Sequence, residues 1–328
     1  MSGLAPKAGM HPRNRFRHGY DFDALIAESP ALAPFVRPNA HGDPSISYGD
    51  PEAVKALNQA LLRQAYGLGE WDLPPGALCP PIPGRSDHVH HLADLLASDG
   101  ESVPRGPAVR VLDIGTGASC IYPLIGVSEY GWSFVAAERD AESCAWASRL
   151  VAAHAALSGR ITCRHQVDSA QCFEGVVELE ETFHLSLCNP PFHESAEEAE
   201  EGNRRKRRNL ARGGPRGGRS REGGQPKGDA SRSAGADRNF GGRASELWCP
   251  GGEVGFLERM VAQSAHRPRL CRWFTSLVSK GAHLPRLQRA LQEVKAVEVR
   301  VLDMAHGQKQ SRILAWTFLE PAERRAPR

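Results

Sequence analysis

The sequence predicts an α/β fold, a doubly wound and mostly parallel sheet, from three observations. Apolar strand-like runs alternate with helical patterns from Val109 onward. The first strand runs straight into a glycine-bearing turn, Asp113-Ile-Gly115-Thr-Gly117. Carboxylates stand at the ends of three successive strands: Asp113, Glu138 and Asp168. Such alternation places helices on both faces of a parallel sheet.

The elements follow in order. Residues 1–50 are rich in Pro, Gly and Asn and read as a basic, largely irregular arm with one helix near Phe22–Glu28. Residues 51–105 form a helical extension. Pro51 opens its first helix, Pro51–Tyr66, in which Val54, Leu57, Leu61, Leu62 and Tyr66 share a face. A proline-punctuated loop leads to a second helix, about Arg85 to Leu96, with Ser86 or Asp87 as its cap. The main domain, 106–201 and 244–320, holds strands at Val109–Ile114, Trp132–Ala137, Ile161–Val167, Phe183–Cys188 and within Arg269–Val278. A terminal pair, Val297–Asp303 and Ile313–Leu319, brings the total to seven. Helices are expected at Ile121–Tyr130, Ala141–Ala155, from about Glu253, and at His283–Val294. Residues 321–328 read as a tail.

Residues 202–243 form a Gly/Arg-rich insertion with 13 Lys and Arg against 3 Asp and Glu. That composition buries too little apolar surface to offset its ordering entropy, so disorder is expected. Residues 1–20 add four basic residues and no acid. The net charge of +3 therefore hides an acidic body carrying two basic segments, a distribution suited to a polyanion.

Other classes are disfavoured. No stretch approaches the ~18–20 continuous apolar residues of a membrane span, and the N-terminus has no apolar signal core. Eight cysteines form no CxxC pair and several lie in apolar runs, as buried thiols of a reducing compartment do. His88, His90 and His91 cluster without a second group at ligand spacing, so they read as helix-surface histidines and no metal site is assigned.

The glycine turn departs from GxGxxG, because Cys120 stands where the third glycine would be. Glu138, 23 residues after Gly115, suits ribose hydroxyls of NAD or of S-adenosylmethionine alike. Asp113 tips the balance: an acid there repels a pyrophosphate but suits the cationic amino-acid end of S-adenosylmethionine. Asp168 lies where that cofactor's adenine is held.

The fourth strand ends in Cys188-Asn-Pro-Pro-Phe192. Asn189 offers a side-chain carbonyl and Pro190 a backbone carbonyl, which together accept both hydrogens of an NH₂ group. Pro190 and Pro191 stiffen the turn, so the acceptors are preorganised. Phe192 offers a face for a planar base, worth ~1–3 kcal/mol. Tetrads of this type methylate adenine N6, cytosine N4 or glutamine side chains.

The chain resembles the bacterial 23S ribosomal RNA adenine-N6-methyltransferase family, RlmF type, whose eukaryotic relatives include a small nuclear RNA adenine methyltransferase. The stretches that carry the resemblance are HPRNR (11–15), ALNQALL (56–62), WDLPPGALCPPIPGRSDHVHHLADLL (71–96), LDIGTGASCIYPLIGVSEYGW (112–132), LCNPPFHES (187–195), RKRRNL (205–210), NFGG (239–242), ELWCPGGEV (246–254), WFTSLVS (273–279) and GQKQSRILAWTF (307–318). The resemblance implies a Rossmann-like class I methyltransferase sheet and methyl transfer from S-adenosylmethionine, without metal, to N6 of one adenine in RNA. It places Arg85, Gly115, Glu138, Asp168 and Asn189 around the cofactor, beside Asp113 and Gly117 of the turn. It places Asn189, Pro190, Pro191 and Phe192 at the target base. Arg13 and Arg15 of HPRNR, Arg204, Arg205, Lys206, Arg207 and Arg208 of the basic run, and Lys309 and Arg312 of GQKQSR would contact RNA. The insertion after RKRRN is longer than in the bacterial pattern. Ribosomal RNA is the expected partner, in the cytoplasm, or in a nucleus or organelle if the source is eukaryotic. Neither a membrane nor an obligate protein partner is called for. The rivals are a small nuclear RNA target, a protein glutamine methyltransferase, a non-catalytic RNA-binding adaptor and an NAD-dependent dehydrogenase. Glutamine methyltransferases also carry NPP and an aromatic, but usually Tyr where this chain has Phe192, and they give no reason for the basic segments; the dehydrogenase reading lacks a positioned proton donor.

Overall fold

The computed structural model describes residues 9–100, 102–195, 198, 248–306 and 309–326. The insertion, with its expected disorder and its arginines 204, 205, 207 and 208 and Lys206, lies outside the described residues.

Residues 9–50 contain the expected helix Phe22–Glu28 but pack more closely than the expected irregular arm. Helix α1 (Phe22–Glu28), capped by the Asp21 carboxylate on Ala24 N, leads into a 3₁₀ turn and a small hairpin of β1 (Val36–Pro38) and β2 (Pro44–Ile46). Phe16, Phe22, Leu25 and Leu32 are buried in the same core as the helices that follow. That burial offsets the ordering entropy which Pro, Gly and Asn content suggests will win.

Helix α2 (Pro51–Tyr66) has the expected limits. Asp50 caps it and Gly67, at φ +69°, ends it. Helix α3 spans Ile82–Ala97, starting a turn earlier than expected because Pro83 fits its first turn. Ser86 and Asp87 are consequently interior and buried, not caps. The expectation of surface histidines is corrected as well. His88 and His90 are buried between the N-terminal residues and the helix after the glycine turn, and His91 is half-buried. Burial lowers the pKa of all three, that of His90 to about 3.

Seven strands follow: β3 (Arg110–Ile114), β4 (Ser133–Glu138), β5 (Ile161–His165), β6 (Phe183–Cys188), β7 (Cys271–Val278), β8 (Glu298–His306) and β9 (Lys309–Thr317). They lie in the order β5-β4-β3-β6-β7-β9-β8. Pairs from β5 to β7 are parallel, and β9 enters antiparallel between β7 and β8. This is the expected doubly wound, mostly parallel seven-stranded sheet. Alternate residues serve opposite faces. Val111 and Leu185 join the core beneath α2, α3, α4 (Ile121–Tyr130) and α5 (Ala141–Ala152). Leu112, Ile114 and Phe183 join the core beneath α6 (Gly252–His266) and α7 (Leu284–Glu293).

The expected tail is also structured. Pro321–Arg325 forms α8, and Arg324 is buried with Nε 2.8 Å from Asp99 Oδ1 and Nη2 2.7 Å from Glu298 Oε2. All eight cysteines are free thiols, six of them buried. Among the described residues, no helix is long and apolar enough to cross a membrane.

Candidate active site

The chain runs outward from β3 to β4 and β5, then crosses back to β6 beside β3. The carboxyl ends of β3 and β6 therefore flank a crevice at the switch point, where ligands of such sheets bind. A cavity of about 380 Å³ opens there.

Its floor is the glycine turn. Gly115 N and Thr116 N donate to Ala137 O at 2.9 and 3.0 Å, folding the turn over the end of β4. Gly115 and Gly117 have φ of +75° and +65°, which favours glycine. A Cβ on Gly115 would meet nothing within 4 Å, so backbone conformation and not crowding selects glycine there. Cys120, where a third glycine would stand, is left-handed at φ +48° and is the N-cap of α4. Glu138, at the end of β4, accepts from Gly117 N at 2.8 Å and from Asp140 N at 2.9 Å. Burial raises its pKa, and these two backbone donors oppose the rise.

Arg85, Gly115, Gly117, Glu138 and Asn189 all line the cavity, with Pro191 beside them. Asp113 lies just beneath it, fully buried, and neither carboxylate oxygen has a hydrogen-bond partner of good geometry among the described residues. Burial pushes its carboxyl up to about 7. Glu138 adds to the rise, while the Thr116 hydroxyl and Arg85 oppose it. Asn189 Oδ1 is likewise buried without a partner. Pro190 is buried, while Phe192 is half-buried and is not among the residues lining the cavity.

Asp168 is the correction among the strand-end acids. It is exposed, and its carboxylate caps the turn through Ala170 N at 2.8 Å. Gln166, Ser169 and Gln171 of the same loop line the cavity in its place. Gln166 fixes that loop by accepting from Asp168 N at 3.1 Å and donating to Glu174 O at 2.8 Å.

Sequence reasoning also missed Tyr122 and Arg259. Tyr122, one residue into α4, accepts from Arg85 Nη1 at 2.6 Å. The same hydroxyl lies 3.0 Å from His88 Nδ1, within hydrogen-bond distance. Arg259 reaches the cavity from α6 while donating to Pro250 O at 3.2 Å. Tyr122's signal is its place in the first turn after the glycines. Arg259 offers none.

The residues expected at RNA divide. Arg13 Nη2 lies 2.6 Å from Asp94 Oδ1 and its Nε donates to Tyr130 Oη at 3.0 Å. Arg15 Nε lies 2.7 Å from Glu129 Oε1. Asn14, between them, donates 2.8 Å to the buried Asp87 carboxylate. HPRNR thus clamps the N-terminal residues onto α3 and α4, which corrects the picture of a free basic arm. Arg312 pairs across the sheet with Val278, at the edge where β6 also ends, and its Nε lies 3.4 Å from Asp303. Lys309 pairs with His306 in the β8–β9 hairpin; its side chain lies outside the described residues.

S-adenosylmethionine fits these residues. The orphaned carboxylate of Asp113 suits a cationic amino group, the lone pairs left on Glu138 suit ribose hydroxyls, and Arg85 suits a carboxylate. No group of three His, Cys, Asp or Glu side chains placed to hold a metal occurs among the described residues.

Comparison with known proteins gives the same direction. A protein-family model described as RNA methyltransferase matches residues 4–320. The ribosomal RNA large subunit methyltransferase F of Yersinia pseudotuberculosis is 50% identical over 321 residues, which cover 98% of this chain and 90% of that protein. The protein of the same name from Cronobacter sakazakii is 50% identical over 319 residues, covering 97% and 96%. Among solved structures, the hMettl16 catalytic domain in complex with MAT2A 3'UTR hairpin 1 is similar at a TM-score of 0.75 and 30% identity, covering 95% of this chain and 96% of that one. The N-terminal domain of human METTL16 in complex with SAH gives 0.70 and 28%, covering 95% and 99%.

Proposed function

This chain belongs to the RNA methyltransferase family that includes the bacterial ribosomal RNA large subunit methyltransferases F, and on that premise we propose that it methylates N6 of one adenine in 23S ribosomal RNA, in the cytoplasm. The observation that carries the chemistry is Asn189 Oδ1, a buried acceptor without a partner at the end of β6, in the same cavity as Gly115 and Glu138.

When bound, S-adenosylmethionine supplies an electrophilic methyl group. Arg85, Gly115, Gly117 and Glu138 would hold it against the glycine turn, with the Asp113 carboxylate beneath them attracting its cationic end. Asn189 Oδ1 and the Pro190 carbonyl accept the two hydrogens of the adenine amino group, which aims its lone pair into the crevice. Pro190 and Pro191 remove the backbone freedom that would blur that aim. Phe192 stacks on the base once the base has left its helix, which favours loops and single strands as targets. No strong base is needed, since the methylated amine releases its proton to water. Lys309, Arg312 and the 204–208 run contact phosphates.

The test is to map N6-methyladenine across 23S ribosomal RNA from cells with and without this protein, then restore the mark on purified RNA. One adenine should lose its methyl group in the deletion strain. An unchanged map overturns the reading.

A further inference from the structure

The chain that re-enters the described fold at Trp248 closes on the loop that carries Asn189. Trp248 forms a parallel bridge with His193, and Cys249 N donates to His193 O at 3.1 Å, four residues beyond Asn189. Gly252, at φ +56°, backs onto the same segment: a Cβ there would lie 2.8 Å from Glu194 Cγ and 3.5 Å from the His193 carbonyl carbon. Gly251, at φ +77°, precedes it. Two left-handed residues in succession demand glycine, and this turn delivers Glu253 into the interior.

Glu253 is 2% exposed, and both of its carboxylate oxygens are engaged. Oε1 accepts from Ser279 N at 2.7 Å, and Oε2 meets His283 Nδ1 at 2.5 Å. Ser279 directly follows β7, and His283 precedes α7. β7 is in turn pinned to β6 by Thr275 Oγ1 donating to Ser186 O at 2.7 Å. The start of α6 is thereby fastened to the carboxyl end of β7, beside the strand that ends in Asn189. Apolar packing alone would hold α6 on the sheet without fixing its height along β7. A carboxylate shared between two donors from another element fixes that height.

We propose that Glu253 is a positioning residue for Asn189, acting through the Gly251–Gly252 turn and the Trp248–His193 bridge. It does not line the cavity, so it sets the acceptor loop without touching the cofactor. The proposal rests on the methyl transfer assigned above.

The test compares wild type, Glu253→Ala and Glu253→Gln in three measurements: S-adenosylmethionine Kd by calorimetry, single-turnover methylation at saturating RNA, and amide exchange of Phe192–Ser195. For Glu253→Ala the expected result is a Kd within threefold of wild type, a turnover rate at least tenfold lower, and exchange at least tenfold faster. Glu253→Gln keeps one acceptor oxygen and should be two- to fivefold slower, with intermediate exchange. If the alanine variant does not fold, the glutamine variant decides. Wild-type rate and exchange in the folded variants overturn the proposal, as does a Kd that worsens in step with the rate. If wild type itself leaves 23S RNA unmethylated, the functional reading fails alone, and exchange at 192–195 still decides the clasp.

Discussion

Arg85 and Tyr122 form one unit in the cavity wall: guanidinium to phenol oxygen at 2.6 Å, with the guanidinium carbon 5.2 Å from the ring centre. Burial pushes the Tyr122 hydroxyl up to about 12, so it stays protonated, within hydrogen-bond distance of His88 Nδ1. Tyr122→Phe keeps the ring and removes the oxygen, leaving Arg85 and His88 each without a partner. Hydrogen bonds to charged groups contribute about 1.5–3 kcal/mol. Part of that loss falls on stability and part on the aim of Arg85. Cofactor affinity should drop about fivefold, with the fold retained, as measured by calorimetry beside a thermal melt.

On the proposed function, Asp113 should give cofactor binding a pH dependence. Its carboxyl titrates near 7 in the folded protein, against about 3.9 in an unfolded chain. The folded value is the higher one. Asp113's contribution to stability is therefore full below about pH 4 and is lost as pH rises toward 7. The ionised form is the one that attracts a cationic amino group. Affinity for S-adenosylmethionine should rise about tenfold between pH 6 and pH 8 and then level off. Asp113→Asn should bind weakly with a flat profile and, without cofactor, melt higher than wild type at pH 8. A wild-type profile without slope across that window would refute the assignment.

Asn189→Ala removes the acceptor that the proposed reaction uses for the amino group being methylated, and at most weakens cofactor binding modestly. Loss of a preorganised acceptor at a reacting centre costs about 10²–10³ in rate. Single-turnover methylation should fall by at least that much while the cofactor Kd changes less than about threefold. Near-wild-type turnover would remove Asn189 from the mechanism.

Deleting residues 211–238 takes out seven Lys and Arg and three Asp and Glu. With about 0.7 counterions released per neutralised phosphate of a single strand, the net loss of four positive charges should flatten the salt dependence of RNA binding by about 3 in log–log slope. The rate at saturating RNA should hold. A lost rate at saturation would place the segment in the catalytic step.

The elements that position chemistry were legible because each rests on local sequence. β6 is an apolar run stopped by two prolines, and β3 is an apolar run that meets glycines, so Asn189 and Gly115 could be placed at strand ends without coordinates. What was not legible depends on partners far along the chain. Arg13 is committed to Asp94 and Arg15 to Glu129, 81 and 114 residues away, and nothing in HPRNR distinguishes a clamp from a free basic arm. On the β5 loop Gln166 and Asp168 are two residues apart and equally polar. Only the fold of the turn sends the first to the cavity and leaves the second outside it. The histidines of α3 read as surface because a helix flanked by charge usually is. Here the N-terminal residues cover that helix, and His11 stacks on His90 at 5.2 Å.

The C-terminal helix offers a stability test separate from the reaction. Arg324 is nearly inaccessible, donates to Leu319 O at 2.8 Å, bridges Asp99 and Glu298, and lies 4.7 Å from the centre of the Trp273 ring. Trp273 itself donates to the other Asp99 oxygen at 2.5 Å. Arg324→Ala leaves Asp99 with only its Trp273 partner and without its cation, and breaking a buried pair from one side costs about 3–5 kcal/mol. The melting temperature should fall by about 6–20 °C, at the about 2–4 °C per kcal/mol typical of domains of 150–250 residues. Trp273 lies toward the start of β7, and Asn189 at the opposite, carboxyl edge of the sheet. Turnover measured well below the melting point should therefore match wild type. A variant that melts normally but methylates slowly would mean that the C-terminal helix reaches the active edge by a route other than stability.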